Sequence, residues 1–161
     1  TMQVMDNGGA GVSLAEIYDA SVTPGTATQR LINISTRGEA GIGENILIGG
    51  FTITGNSPKK VLVRGIGPGL TAFGVAGALA TPVLTLTTVA GAPVATNTGW
   101  TTAANPVEIA AAATQVGAFP LGTTAADAAL VVTLAPGNYT AQLTGANGTS
   151  GIALLEVYEL P

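Results

Sequence analysis

The chain contains neither cysteine nor histidine in its 161 residues. Without cysteine it has no disulfide framework and no thiolate metal site. Without histidine it lacks the residue most often used as a general base near neutral pH, which is also the commonest metal ligand. We therefore predict that the protein is not an enzyme and that it uses no metal ion and no cofactor.

Charged residues are also scarce, at 9% of the chain against about 25% in an average soluble domain. Residues 65–107 carry no charge at all, but prolines and glycines interrupt any helix there, so we expect no membrane span. Only five Lys and Arg residues occur and the net charge is −4, so no nucleic-acid partner is expected. Low charge with abundant Thr, Ala, Gly and Val is typical of extracellular bacterial fibre subunits, which associate and need no mutual repulsion.

Apolar and polar residues alternate over short runs separated by turn residues, which is the pattern of short β-strands. The turns carry Gly, Asn, Asp or Pro, residues that adopt or preset the backbone angles of tight turns. Many short strands at this spacing predict an all-β fold, a β-sandwich with jelly-roll-like topology. The predicted strands are residues 1–5, 12–18, 30–37, 45–54, 59–66, 83–88, 93–96, 128–134, 138–144 and 151–159.

One segment departs from the alternating pattern and predicts a helix. Asn105 is a capping residue, a proline occupies the first helical position, and Glu108 follows three residues after the cap. We predict a short helix over residues 106–116 that ends at Gly117. Residues 71–79 are a weaker candidate for a turn or two of helix, because two glycines lower their helical propensity.

The beginning of the chain resembles its end. Residues 1–4 (TMQV) correspond to residues 140–143 (TAQL), and residues 11–19 (GVSLAEIYD) correspond to residues 151–159 (GIALLEVYE). Each copy predicts a hairpin, in which a Gly/Asn turn joins one strand to a second strand that ends in Glu, an aliphatic residue, Tyr and an acid. We call residues 1–20 the opening segment and expect residues 21–161 to form the β-sandwich domain.

A repeat spacing of about 140 residues fits one whole domain and is too long for a solenoid. The opening segment then either closes the preceding domain of a tandem array or adds to the sheet of a neighbouring copy through main-chain hydrogen bonds. Both interpretations predict head-to-tail assembly. Shared turn chemistry is the alternative explanation, but it does not demand the acid-aliphatic-Tyr-acid ending. The residues expected at the assembly interface are Val12, Leu14, Glu16, Ile17 and Tyr18.

Four segments carry a family resemblance: residues 30–37 (RLINISTR), 61–68 (VLVRGIGP), 116–121 (VGAFPL) and 151–159 (GIALLEVYE). They resemble a β-rich domain that is repeated in large secreted or surface proteins of environmental bacteria. Residues 134–151 are also similar to the closing hairpins of bacterial prepeptidase C-terminal-type jelly rolls. The first resemblance implies an extracellular or surface module without known catalysis, and it assigns no functional residue.

Two glutamates and three arginines are candidates for ion pairs. Arg64 and Glu156 lie in otherwise apolar strands, and Glu16 repeats Glu156 in the opening segment. A charge in such a setting needs a partner or exposure on the polar face of its strand. Arg30, Arg37 and Arg64 are therefore candidate partners of these glutamates, within the chain or across the joint between copies, with simple outward projection as the alternative.

Three further sequence patterns bear on possible ligand sites. Trp100 is a candidate for stacking on a surface glycan, because carbohydrate sites use exposed aromatic faces, although a lone Trp near a helix start is more often core. Glu39 and Glu44 lie on a Gly-rich loop, but no run of alternating Asp supports a cation there. Residues 65–69 (GIGPG) lack the spacing of a dinucleotide loop and predict a tight turn out of a buried strand.

Together these patterns predict a non-enzymatic structural subunit or repeat of an extracellular filament or surface fibre, joined head to tail by strand or hairpin addition. Its partners are then copies of itself, with a surface glycan as a second candidate ligand. The alternative is a carbohydrate-binding or adhesive module of a larger surface protein, in which Trp100 contacts the glycan.

Overall fold

The computed structural model describes residues 2–5, 8–9, 11–18, 31–123 and 126–161. The chain divides into two units, Thr1–Arg30 and Leu31–Pro161, which are considered separately. All strands and helices found among the described residues belong to the second unit. None of these helices is long and apolar enough to cross a membrane.

The described residues of the second unit form eight strands and one short α-helix. The strands are β1 (Asn33–Ala40), β2 (Leu47–Ile53), β3 (Lys59–Ile66), β4 (Pro82–Thr88), β5 (Pro93–Asn97), β6 (Ala128–Leu134), β7 (Gly137–Gly145) and β8 (Gly151–Glu159). Each corresponds to a strand predicted from the sequence. The strand β1 differs most, because it begins and ends three residues later than predicted.

The eight strands form two four-stranded sheets, and every strand pairing is antiparallel. The first sheet has the order β1-β8-β3-β6, and the second sheet has the order β2-β7-β4-β5. The chain changes sheet at every connection except that between β4 and β5, as in an eight-stranded jelly roll made of two Greek keys. The predicted all-β sandwich with jelly-roll topology is confirmed.

The main core fills the space between the two sheets. Alternate residues of each strand point inward because side chains alternate across a strand. The inward residues of the four central strands are almost fully buried: Val61, Val63, Leu84, Leu86, Ala141, Leu143, Ala153, Leu155 and Val157. In β3 the residues between them are buried too, so the outer face of the first sheet must also be covered.

Helix α1 (Pro106–Gln115) covers part of that outer face. Its buried residue Ile109 packs with Leu62 of β3 and with Trp100 in a second apolar cluster. The helix lies where the sequence predicted it. The side chain of Asn105 does not cap the backbone; its amide nitrogen donates a hydrogen bond to the Glu108 carboxylate.

The weaker helix prediction at residues 71–79 is corrected. A 3₁₀ helix, Pro68–Phe73, begins earlier and stops at Gly74, whose φ of +75° ends the turn in a left-handed conformation. Farther on, Ala78 forms an isolated bridge with Ile152 of β8. The backbone near Ala78 therefore pairs with the sheet and does not continue as a helix.

The prediction that the last two strands form a hairpin is wrong. Strand β7 pairs with β2 and β4, whereas β8 pairs with β1 and β3, so the two consecutive strands lie in opposite sheets. A short 3₁₀ turn, Ala146–Gly148, carries the chain across, with Asn147 at φ 55°. A Gly/Asn turn between alternating strands fits a hairpin within one sheet and a link between the two sheets equally well. Burial of both strands favours the link between sheets.

The opening segment has no strand assigned within residues 2–5 and 11–18. Alternation predicted strands over residues 1–5 and 12–18, and the structure does not assign them at the described positions of these ranges. The structure contains one chain, so the pairing with another domain and the predicted division at residue 20 stay predictions.

Candidate functional site

Arg64 occupies the centre of the first sheet. Val61 and Val63 of the same strand face the core. Because side chains alternate along a strand, the Arg64 side chain points to the outer face of the sheet. It has no exposed surface, and Glu156, its partner in the ladder on β8, is 5% exposed. Arg64 Nε lies 2.9 Å from Glu156 Oε2. The two opposite charges are removed from water together and compensate one another.

The chain that follows helix α1 closes over Arg64. Arg64 Nη1 donates a hydrogen bond of 2.7 Å to the carbonyl oxygen of Phe119. The Arg64 guanidinium carbon lies 4.5 Å from the centroid of the Phe119 ring, which is a cation–π contact. Phe73 meets the same ring edge to face, with 4.9 Å between centroids. Arg64 thus anchors residues 116–121 to the sheet.

Tyr158 completes this group. Its hydroxyl donates to Glu156 Oε1 over 2.8 Å. Burial and this hydrogen bond raise the pKa of Tyr158 to about 12. One carboxylate oxygen of Glu156 therefore forms the ion pair with Arg64, and the other accepts the hydrogen bond from Tyr158. We call Arg64, Glu156, Tyr158 and Phe119 the arginine cluster. The Glu156 carboxylate contacts both Arg64 and Tyr158, whereas Arg64 Nη2 is buried without a hydrogen-bond partner among the described residues.

The opening segment contains a copy of one contact from the arginine cluster. The Tyr18 hydroxyl donates to Glu16 Oε1 over 2.8 Å, as the Tyr158 hydroxyl does to Glu156. This hydrogen bond raises the pKa of Tyr18. The hydrogen bond joins the same atoms over the same distance as in its counterpart. Glu16 forms no ion pair within the described ranges.

The residues predicted at the assembly interface are all exposed. The exposed fractions are 81% for Val12, 81% for Leu14, 64% for Ile17 and 78% for Tyr18. Their counterparts in β8 are buried or half-buried. The same residue pattern therefore stands in two different environments within one chain.

No protein-family model and no curated protein sequence matches the chain. Among solved structures, the chain is similar to the pre-peptidase C-terminal domain of a collagenase from Bacillus anthracis. The TM-score is 0.46 and the identity is 12%, over 78% of this chain and 89% of that one. It is the kind of jelly roll that residues 134–151 resemble in sequence. At this level of similarity the match carries no argument about ligand, partner or activity.

The other candidate arginines do not join the arginine cluster. Arg37 is exposed on β1 and forms no ion pair within the described ranges. It borders a surface depression of about 300 Å³. Arg30 lies outside the described residues. The remaining walls of the depression are Leu70, Phe73, Val75, Phe119 and Leu154.

Trp100 lies in the apolar cluster beneath helix α1. It is 8% exposed, and its indole nitrogen donates to the carbonyl oxygen of Gly122 over 3.1 Å. Sugar stacking needs an exposed ring face. The structure therefore places Trp100 in the core and not at a glycan site.

Asp127 is a structural residue that the sequence analysis did not single out. It is fully buried, and its Oδ1 accepts hydrogen bonds from the backbone nitrogens of Gly67 and Gly69, at 2.9 and 3.1 Å. The backbone carbonyl oxygen of Asp127 accepts a hydrogen bond from the backbone nitrogen of Trp100 over 2.8 Å. Asp127 thus holds the glycine-rich turn after β3, and its place just before the apolar strand β6 was the available signal.

The acidic loop gives no sign of a cation site. Glu39 and Glu44 are exposed. The part of the chain that the structure describes contains no group of three or more His, Cys, Asp or Glu side chains placed to hold a metal ion.

Proposed function

We propose that the protein is a structural, non-enzymatic repeat of an extracellular fibre or extended surface protein, and that its opening segment joins neighbouring domains end to end. One observation carries the proposal. The opening segment repeats the sequence of β7 and β8 and the Glu-x-Tyr hydrogen bond, but its apolar residues are exposed.

Those exposed apolar residues supply the driving force for a joint. Full burial of one Val, Leu or Ile side chain contributes about 1.5–3 kcal/mol. Val12, Leu14 and Ile17 are each more than 60% exposed, so covering the three of them stabilises a joint before association costs are subtracted. Their repetition of a core strand indicates that the covering surface is protein.

The length of the repeat favours an extended arrangement. The two matching segments are offset by 139 residues in the first strand and by 140 in the second, which is close to the length of the domain Leu31–Pro161 plus a short connection. A contact from one end of a domain to the next does not close on itself, so it extends into a linear array. The array is either covalent, within one long chain, or a polymer of separate chains.

The remaining features agree with a scaffold role outside the cell. The low charge suits a surface that associates with copies of itself. The arginine cluster uses its ionisable groups in packing. The extracellular location rests on the resemblance of the sequence to domains of secreted bacterial proteins.

Electron microscopy of the native material tests this proposal. The protein is isolated from its source cells with an antibody against residues 31–161 and examined by negative stain. We expect rods or filaments with a regular domain-sized repeat. Denaturing electrophoresis then separates the two forms, since a polymer of separate chains dissociates into single-domain chains, whereas a covalent array runs as a much larger multi-domain chain.

Two controls make the result decisive. Protease treatment of intact cells is expected to remove the antibody signal, because the protein is exposed at the surface. Single globular particles from native material, or a signal that resists protease until the cells are lysed, would contradict the proposal.

A further inference from the structure

We infer that the opening segment supplies the β7 and β8 strands of a different, otherwise incomplete jelly roll of the same architecture. This inference deepens the proposed function and rests on it. It replaces addition at a sheet edge with insertion into the centre of both sheets, and it specifies which partner residues the segment meets.

The strand order requires the opening segment to take a central position in each of the two sheets. Strand β7 lies between β2 and β4, and β8 lies between β1 and β3. A segment with the sequence of both strands therefore fits a domain that has a gap in the middle of each sheet. An edge strand would have one free backbone edge, whereas β8 pairs along both edges, with its inward face buried and its outer face buried or half-buried.

The core positions of the two copies agree in character. The inward residues of β7 and β8 are apolar and nearly fully buried. The corresponding residues of the opening segment are small or apolar in every case, so they suit the same core. The correspondences are Met2 to Ala141, Val4 to Leu143, Ser13 to Ala153, Ala15 to Leu155 and Ile17 to Val157.

Glu16 identifies the partner more closely. At the matching position Glu156 is 5% exposed and is compensated by Arg64. A carboxylate buried there without a cation would strongly oppose folding. The partner domain must therefore present an arginine where β3 carries Arg64, which only a domain of this same family of sequences is expected to do.

A finished copy of this chain cannot be the receiving domain. Residues 31–161 already contain β7 and β8, and both are paired on each side. A second copy would have to expel its own strands to accept the opening segment of another. The receiving domain is therefore the preceding repeat of the same polypeptide, whose first six strands lie upstream of residue 1.

An extended chain tests this assignment. Residues 31–139 are placed before residue 1 of the full 161-residue chain, so that Thr1 takes the place of Thr140. Hydrogen–deuterium exchange is followed across residues 2–18. We expect protection close to that of β7 and β8 in the extended chain, and little protection in the original chain at any concentration.

Glu16→Ala provides the specific readout, with Glu39→Ala as an exposed control. In the extended chain, Glu16→Ala is expected to lower the melting temperature of the first domain and leave the second unchanged. In the original chain, Glu16→Ala is expected to have no effect on melting. Glu39→Ala, made in the original domain, is expected to change neither transition appreciably.

Three results would overturn the inference. The first is continued rapid exchange of residues 2–18 in the extended chain, and the second is an unchanged first transition with Glu16→Ala. The third is protection that rises with concentration in the original chain, since it indicates pairing between separate copies. Failure of the proposed function is distinguishable, because native particles can prove globular while the extended chain still folds as two complete domains.

Discussion

Arg64 has no exposed surface and carries a full charge. Three contacts make this position tolerable: the ion pair with Glu156, the hydrogen bond to the carbonyl of Phe119, and the ring of Phe119 against the guanidinium. Replacing Arg64 by Met keeps the volume similar but leaves Glu156 without a cation. Breaking a buried pair from one side costs about 3–5 kcal/mol, and urea unfolding of Arg64→Met should show a loss of that size.

Two companion variants separate charge from packing. The double variant Arg64→Met with Glu156→Leu is expected to recover much of the loss, because no unpaired charge remains. Lys59→Met removes a partly exposed pair with Glu159, whose Nζ–Oε1 distance is 3.0 Å and whose side chains are 40% and 16% exposed, and should cost about 1 kcal/mol or less. Equal losses for Arg64→Met and Lys59→Met would show that burial of the pair has no energetic consequence.

Tyr158 makes stability depend on pH in the alkaline range. Its pKa in the fold is about 12, against an ordinary value of 10.0. The fold therefore favours the protonated phenol, and this contribution is complete below pH 10 and is lost as the pH rises from 10 towards 12. Urea unfolding between pH 8 and 12 should show this decline, and Tyr158→Phe should weaken it. A Tyr158→Phe curve parallel to that of the original chain would assign the decline to other groups.

At the scale of elements, helix α1 stabilises the protein through one face. Ile109 is 1% exposed and packs beneath the helix, whereas Val107 is 83% exposed. Truncating a buried Ile to Ala costs about 2–5 kcal/mol, whereas surface changes usually stay within about 0.5 kcal/mol. Thermal unfolding of Ile109→Ala and Val107→Ala should show this difference. A similar melting temperature for both variants would contradict the packing of α1 on the first sheet.

The strands show which features of the fold can be predicted from local sequence signals. Strands β3, β6 and β8 have the bounds that alternation and turn residues predict. The helix is also predictable, because Pro106 and Gly117 mark its two ends in the sequence. The link between β7 and β8 is not, since its turn residues are those of a hairpin. Which sheet each strand joins depends on partners such as β2 and β3, which lie more than 70 residues earlier in the chain.

At the scale of the whole molecule, the two ends of the chain should behave oppositely on deletion. Removing residues 151–161 takes away β8, which is a central strand of the first sheet, and should abolish cooperative unfolding. Removing residues 1–30 leaves the unit Leu31–Pro161 complete and should leave its melting temperature within a few degrees. Circular dichroism melting measures both. A folded chain without β8, or an unfolded chain without residues 1–30, would contradict this assignment of the domain.

From the sequence alone, the eight strands and helix α1 of residues 31–161 could be placed to within about three residues, and Arg64, Glu156 and the repeated ending around Glu16 could be singled out. These properties are local, because alternation and turn chemistry act within a few residues. Four features became visible only in the folded chain: β7 and β8 enter opposite sheets, Arg64 contacts Glu156 and Phe119, Asp127 holds the turn at Gly67, and Trp100 is buried. Alternation predicts that a side chain is buried, but it does not identify the residues that bury it. Such contacts join residues far apart in the chain and form only after long loops have closed.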